Sequence, residues 1–192
     1  MKVKIKSMMC SSLALMVFAI PLQLHGGTSK YLYRPFASSD NHQPLKVSKT
    51  LQGMCRAQSP ISKREDAWTC YAEGQQYDPC FVKRFGKRDA VICPTSPWSS
   101  EATEIKLNTN LVERHEETLD MSRSYPWALE LDSGLRCMAI ESDGRVDGLA
   151  VHYKCSDKGY LIGHLQRCKA KWTMLHSASG HPTTVFIAKA WF

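Results

Sequence analysis

Ile105, Leu107, Thr109 and Leu111 alternate with polar residues along Glu104–Leu111, the period of a half-buried β-strand. Beyond this point the chain reads as short apolar runs separated by turn residues. Trp127–Leu131 and Leu135–Ile140 flank Asp132-Ser133-Gly134, while Leu149–Cys155 and Tyr160–Ile162 flank Asp157-Lys158-Gly159. Each arrangement predicts a hairpin. Lys171–Ser177 and Thr183–Phe192, joined by Ser179-Gly180-His181-Pro182, close the pattern, and the charged stretch 113–124 predicts a loop or an exposed helical turn.

The N-terminal half is less periodic. Ser62 and Glu65 have the spacing of a capping box. Ala67, Trp68 and Tyr71 follow, and Gly74 is placed to end a helix in the left-handed region. A short helix carrying Trp68 and Cys70 is therefore predicted. Gln75–Phe81 reads as a turn, initiated at Asp78-Pro79, that leads into an extended segment. Residues 27–50, polar and rich in turn formers such as Pro35 and Pro44, predict a flexible N-terminal arm. The pattern as a whole predicts a β-rich, mainly β or α+β fold. It would be a small antiparallel sheet or barrel-like domain over residues 51–192, with one short N-terminal helix.

The first residues change the picture of where this domain works. Lys2, Lys4 and Lys6 precede a mostly apolar run from Met8 to Ile20, with Pro21 and Gly26-Gly27 after it. This is the layout of a secretory signal peptide over residues 1–26. The run is shorter than the roughly 20 residues that span a bilayer, so no transmembrane segment is expected after cleavage. Removing residues 1–26 takes three lysines and no acid from a formal net charge of +7, leaving +4 on 166 residues. The remaining cations, including Lys63-Arg64, Lys83-Arg84, Lys87-Arg88, Arg167, Lys169 and Lys171, are interspersed with acids and apolar residues. No dense basic stripe with interleaved aromatics argues for nucleic acid. Weak attraction to an anionic envelope or host membrane is the residual reading.

Seven cysteines survive cleavage, and no two have C-x-x-C spacing. That removes the basis for a zinc-ribbon or thioredoxin reading. In an oxidising compartment such cysteines pair. Their sequence does not fix connectivity, but sequential pairing is the economical scheme: Cys55–Cys70, Cys80–Cys93 and Cys137–Cys155, with Cys168 left as a free thiol. Cations flank Cys168 in Gln-Arg-Cys-Lys-Ala-Lys, with no histidine nearby in sequence. A thiol without a base is a weak nucleophile candidate.

Other chemistry is sparse. His115-Glu116-Glu117 lacks the second histidine of a zinc protease helix. His152, His164 and His176 fall on or beside predicted strands, without spacing that demands a metal. A cysteine hydrolase would use Cys80 as nucleophile with His152 or His164 as base, but Cys80 has a bridging partner in Cys93. Trp127, Trp172 and Trp191 are expected in the core, whereas Trp98, in Pro-Thr-Ser-Pro-Trp-Ser-Ser, is the candidate for an exposed contact surface.

Several short motifs recur in one order: Gly53-x-Cys55, Asp66-Ala-Trp-x-Cys70, Asp78-Pro-Cys-Phe81, Val91-Ile-Cys-Pro94, Pro126-Trp-Ala-Leu-Glu-Leu131, Gly134-x-x-Cys137 and the closing Ala-Lys-Ala-Trp-Phe192. Their order resembles a family of bacterial exported proteins and lipoproteins with six cysteines and no established activity. The resemblance spans about residues 51–192. It implies an extracytoplasmic location and a six-cysteine framework, and it transfers no catalytic residue. The expected role is a secreted or periplasmic, non-catalytic binding protein without cofactor, directed at a protein or an envelope or host component. The alternative is a cysteine- or metal-dependent hydrolase of the cell envelope.

Overall fold

Trp68, Cys70 and Ala72 lie at alternate positions and all enter one apolar interior, while Ala67 between them and the preceding loop faces the other way. This parity is the geometry of a strand, in which residues i and i+2 share a face. A helix would set Trp68 and Cys70 on nearly opposite sides. The structure, a computed structural model, describes residues 26–36, 45–83, 85–111, 117–178 and 181–192, and no helix occurs among them. The predicted helix at Ser62–Gly74 is thus corrected to a turn followed by a strand. Gly74 keeps its left-handed conformation, but as the second residue of a tight hairpin turn with Glu73 (φ 75° and 49°). Two consecutive positive φ values match the right-handed twist of the strands they join.

The strands are β1 (Ser29–Tyr31), β2 (Lys46–Gln58), β3 (Ala67–Ala72), β4 (Gln75–Val82), β5 (Ala90–Pro94), β6 (Glu101–Leu107), β7 (Ala128–Leu131), β8 (Arg136–Ala139), β9 (Arg145–Val146), β10 (Leu149–Cys155), β11 (Tyr160–Gln166), β12 (Trp172–Ser177) and β13 (Thr183–Trp191). They form a β-rich fold of two closed sheets. The first is a five-stranded barrel in the order β2-β3-β4-β5-β6. Its sequential neighbours run antiparallel, so with an odd number of strands the last must run the same way as the first. β2 and β6 accordingly pair in parallel, from Lys46↔Glu101 to Gly53↔Leu107. The second sheet runs β13-β12-β11-β10-β8-β7 and closes through β13–β7. Here the number is even and closure is antiparallel. β1 adds in parallel to the end of β13, and β9 forms a small hairpin with β10.

Each barrel has its own core and its own staples. Cys55–Cys70 and Cys80–Cys93 lie in the first core, and Cys137–Cys155 lies in the second. Cys55 and Cys137 stand directly opposite their partners in the strand ladders. The bridges close sequence separations of 15, 13 and 18 residues, each contributing about 3 kcal/mol in the chain-entropy model. Three disulfides mark a chain that matures under oxidising conditions. Among the described residues no helix is long and apolar enough to cross a membrane.

A third cluster joins the two barrels. Ala67 and Phe81 from the first meet Trp127, Ala128 and Trp191 from the second, with Tyr33 between them. The Tyr33 ring lies 5.3 Å from Phe81 and 5.2 Å from Trp127. The expected flexible arm over residues 27–50 is therefore corrected for its described parts. Thr28 and Tyr33 are buried, residues 29–31 are a strand, and Lys46–Thr50 belong to β2. The reason is aromatic: Tyr33 fills the seam between the sheets, a contribution that turn-rich flanks conceal. The signal-peptide expectation falls on residues 1–26, of which only Gly26 is described.

Arg64 holds this seam. Its Nε and Nη2 donate to the Asp66 carboxylate at 2.5 and 2.7 Å, and Nη1 donates to the main-chain oxygens of Tyr33 and Phe192 at 2.8 and 2.9 Å. The guanidinium also lies over the Phe81 ring. Arg64→Ala would take the bidentate partner from the half-buried Asp66 carboxylate and the donor from Tyr33 O, while Phe192 O keeps the Tyr33 amide, so a loss of about 3 kcal/mol, the low end for a broken buried pair, is expected. Urea unfolding measures it. A change within the ordinary surface range of about ±0.5 kcal/mol would show that the barrels dock without this residue.

Candidate junction cavity and polar clusters

Beside the seam the two barrels leave a cavity of about 770 Å³. Its floor is set by the loop between β2 and β3. Ser59 Oγ accepts from the Ser62 amide at 3.0 Å, and the loop closes through Ser59 N to Ala67 O and Ala67 N to Arg64 O. That closure turns Arg64 and Asp66 toward the cavity, where they neutralise each other. The capping-box glutamate has a different use: Glu65 accepts from the Leu119 amide at 3.3 Å. Leu119 and Met121 form one wall, on a segment anchored by Arg167, which donates to the main-chain oxygens of Met121, Ser122 and Ser124. Val82 and Leu32 supply further apolar wall.

The mouth carries the unusual residues. Phe85 is 86% exposed, and Leu32 and Phe36 are also exposed. Lys83 Nζ lies 5.7 Å from the centre of the Phe36 ring. Phe36, Lys83 and Phe85 also line a second hollow of about 360 Å³, so these three side chains stand as a partition between two depressions. Arg34 and Lys83 face the larger one and Lys87 the smaller. Exposed apolar groups gathered at one opening are uncommon on a solvated surface. In the sequence this place is Lys83-Arg84-Phe85-Gly86-Lys87-Arg88, four cations around an aromatic in a loop between strands. Along the chain those cations belong to a dispersed surface charge that draws no notice to Phe85. The signal that would have found it is the apolar residue framed by two basic pairs.

The residues singled out from sequence do not meet here. Cys80 is fully buried and bonded to Cys93, in the first barrel, whereas His152 is on β10 of the second. A half-cystine has no thiolate to offer. Cys168 is exposed and is the free cysteine among the described residues. Trp98 does not stand out on the surface: it packs edge-on against Trp191 at 5.0 Å, under the Arg136 guanidinium at 5.1 Å. Its expected role as an exposed contact is corrected to a half-buried place beside the seam, because Trp191 offers it an aromatic face. His115 lies outside the described residues.

The three histidines do not converge either. His152 stacks on Tyr125 at 4.8 Å in a hollow of about 270 Å³ that also holds Lys63, Arg123 and Glu141. Burial foremost, then the neighbouring His164, holds the His152 imidazole below its ordinary value. Near it in the first barrel, Asp78 is pushed up by burial, against hydrogen bonds from Ser59 and Thr69, with Glu141 adding to the rise. His176 is elsewhere, beside Cys155 and Asp157. Comparison with family models, curated proteins and solved structures finds no match.

Two expectations follow from these placements. A thiol reagent applied to the native protein without reductant should modify Cys168 and leave Cys80 untouched. Peptide mapping reads the outcome, and a label on Cys80 would contradict the bridge to Cys93. The second concerns acid. The folded state binds the His152 proton less readily than the unfolded chain, so stability is fully present above the unfolded value of 6.5 and falls as pH drops through it. His152→Gln should flatten that part of the curve between about pH 7 and 5. Parallel curves for the two proteins would remove His152 as the cause.

Proposed function

We propose that this protein is a non-catalytic binding protein of an oxidising, extracytoplasmic compartment, secreted or periplasmic, and that its partner is an anionic amphiphile of an envelope or host membrane. The observation that carries the reading is the junction cavity itself: apolar walls, a floor where Arg64 and Asp66 neutralise each other beside Glu65, and a mouth marked by an exposed Phe85 among basic residues. Concave, mainly apolar sites with a few polar groups are where small ligands bind. An acyl chain would lie against Leu32, Val82, Leu119 and Met121, with its anionic head near Arg34, Lys83 and Lys87. Phe85 would enter the interface of the membrane from which the lipid comes, as aromatic side chains do at headgroup depth. The disulfides, the basic-then-apolar leader and the resemblance to exported bacterial proteins support the compartment.

Vesicle co-sedimentation tests this. Phosphatidylglycerol vesicles should retain the protein and phosphatidylcholine vesicles should not. Each Lys or Arg near an anionic surface contributes about 1 kcal/mol, so the double change Lys83→Glu and Lys87→Glu should weaken binding by at least about tenfold. Phe85→Ala should weaken it further at constant charge. Equal binding to both vesicle types would end the proposal.

A further inference from the structure

Away from the junction, one group of metal-ligating side chains stands together. Cys155, at the end of β10, Asp157, in the turn that follows, and His176, on β12, hold their ligand atoms within 4.8 Å of one another. His176 Nε2 is buried and lies 3.1 Å from Asp157 Oδ2, within ion-pair range, yet it makes no hydrogen bond. The other carboxylate oxygen is already engaged by the Gly159 amide at 2.9 Å. An imidazole nitrogen and a carboxylate oxygen therefore converge without a directed proton between them. The turn is shaped around this nitrogen: a Cβ on Gly159 would come within 2.5 Å of it. The sulfur of Cys155 is bonded to that of Cys137, its direct neighbour across the β8–β10 ladder.

We propose that reduction of Cys137–Cys155 converts this cluster into a site for a thiophilic divalent cation, zinc being the type, held by Cys155, Asp157 and His176, with the freed Cys137 sulfur, which lies outside that group, turning in as the fourth ligand. Two thiolates, one imidazole and one carboxylate are a ligand set suited to four-coordinate zinc. The ladder keeps both sulfurs in place after the bond is broken, because they face each other through main-chain pairing as well as through the bridge. With the disulfide intact, only His176 and Asp157 offer good donors. The switch balances as follows with a phosphine as reductant. The S–S bond breaks, phosphorus is oxidised by two electrons and takes oxygen from water, and the two sulfurs take up the two hydrogens. The metal then displaces both thiol protons into solvent. Among the described residues, neither Cys55–Cys70 nor Cys80–Cys93 belongs to such a group. The second barrel would thus keep a staple in either redox state, covalent when oxidised and metal-bridged when reduced.

Cobalt(II) added to the phosphine-reduced protein tests the site. One cobalt per chain is expected, with thiolate-to-metal charge-transfer absorption and tetrahedral ligand-field bands, displaced by zinc. His176→Gln and Asp157→Asn keep every thiol, and each should weaken cobalt binding at least about tenfold, the scale on which losing even an outer-shell partner acts. Zinc should also raise the melting temperature of the reduced wild-type protein and leave that of reduced His176→Gln unchanged. That second measurement reads the site even if reduction alone loosens the fold. Cobalt spectra identical in wild type and His176→Gln, or no zinc-dependent rise in melting temperature, would overturn the proposal.

Discussion

A single buried cation, Arg64, decides how the two barrels meet. Tyr33 O and Phe192 O lie at the junction, and the Arg64 Nη1 group supplies donors to both. An apolar residue at position 64 would fill the space but leave Tyr33 O without this donor, while Phe192 O would keep only the Tyr33 amide, and an unsatisfied buried acceptor costs about 1–3 kcal/mol. Lysine would supply charge without the planar fork that also engages both oxygens of Asp66. Burying the charge is itself unfavourable. The bidentate carboxylate, the two carbonyls and the Phe81 ring together offset that cost. The seam, the docking of Tyr33 and the floor of the cavity all follow from one guanidinium whose surroundings leave it little freedom.

Parity does the rest of the construction. On β3 and β4, Trp68, Cys70, Cys80 and Val82 enter the first core, while Ala67 and Phe81 turn to the seam. On β7 and β13, Leu129, Leu131, Ala190 and Phe192 enter or cap the second core, while Ala128 and Trp191 turn to the same seam. Strands at the junction are thus apolar on both faces, one serving a barrel and the other serving the contact between barrels. Slipping any of them by one residue would exchange the two sets. Cross-strand bridges such as Cys55–Cys70 and Cys137–Cys155 fix register where a shift would be most damaging.

That double burial also explains what was legible in the sequence. The C-terminal hairpins were readable because Asp132-Ser133-Gly134 and Asp157-Lys158-Gly159 punctuate them and because β10 alternates in exposure. β3 is buried at nearly every position, so it has no polar face to reveal its period. The serine and glutamate before it imitate a helix start. β2 is hard to read for the opposite reason, since its first five residues are exposed and, Val47 apart, polar. The arm shows no period because its docking is spread over Thr28, the three-residue β1 and Tyr33. The junction cavity was not legible at all: Leu32, Arg64, Lys83 and Leu119 are brought together by the closure of two sheets, and nothing in their spacing announces it.

Closed sheets place a constraint on how such a molecule can recognise anything. A barrel pairs its strand edges with itself, so main-chain addition of a partner strand has little opportunity outside the short β1 and β9, and a partner of the proposed kind would have to be met by loops. The loop after β4 is well suited to this because it leaves the first barrel at the seam, between Val82 in the core and Lys83 at the cavity mouth. Its position is fixed from behind by the Cys80–Cys93 bridge, which ties the strand before the loop to the strand after it. Such anchoring would lower the entropy lost in the proposed engagement of a surface by Phe85 and its neighbouring lysines. The staple and the contact loop are therefore parts of one arrangement. Cys80, bonded to Cys93, offers no thiolate and ties β4 to β5 a few positions before the residues that face outward.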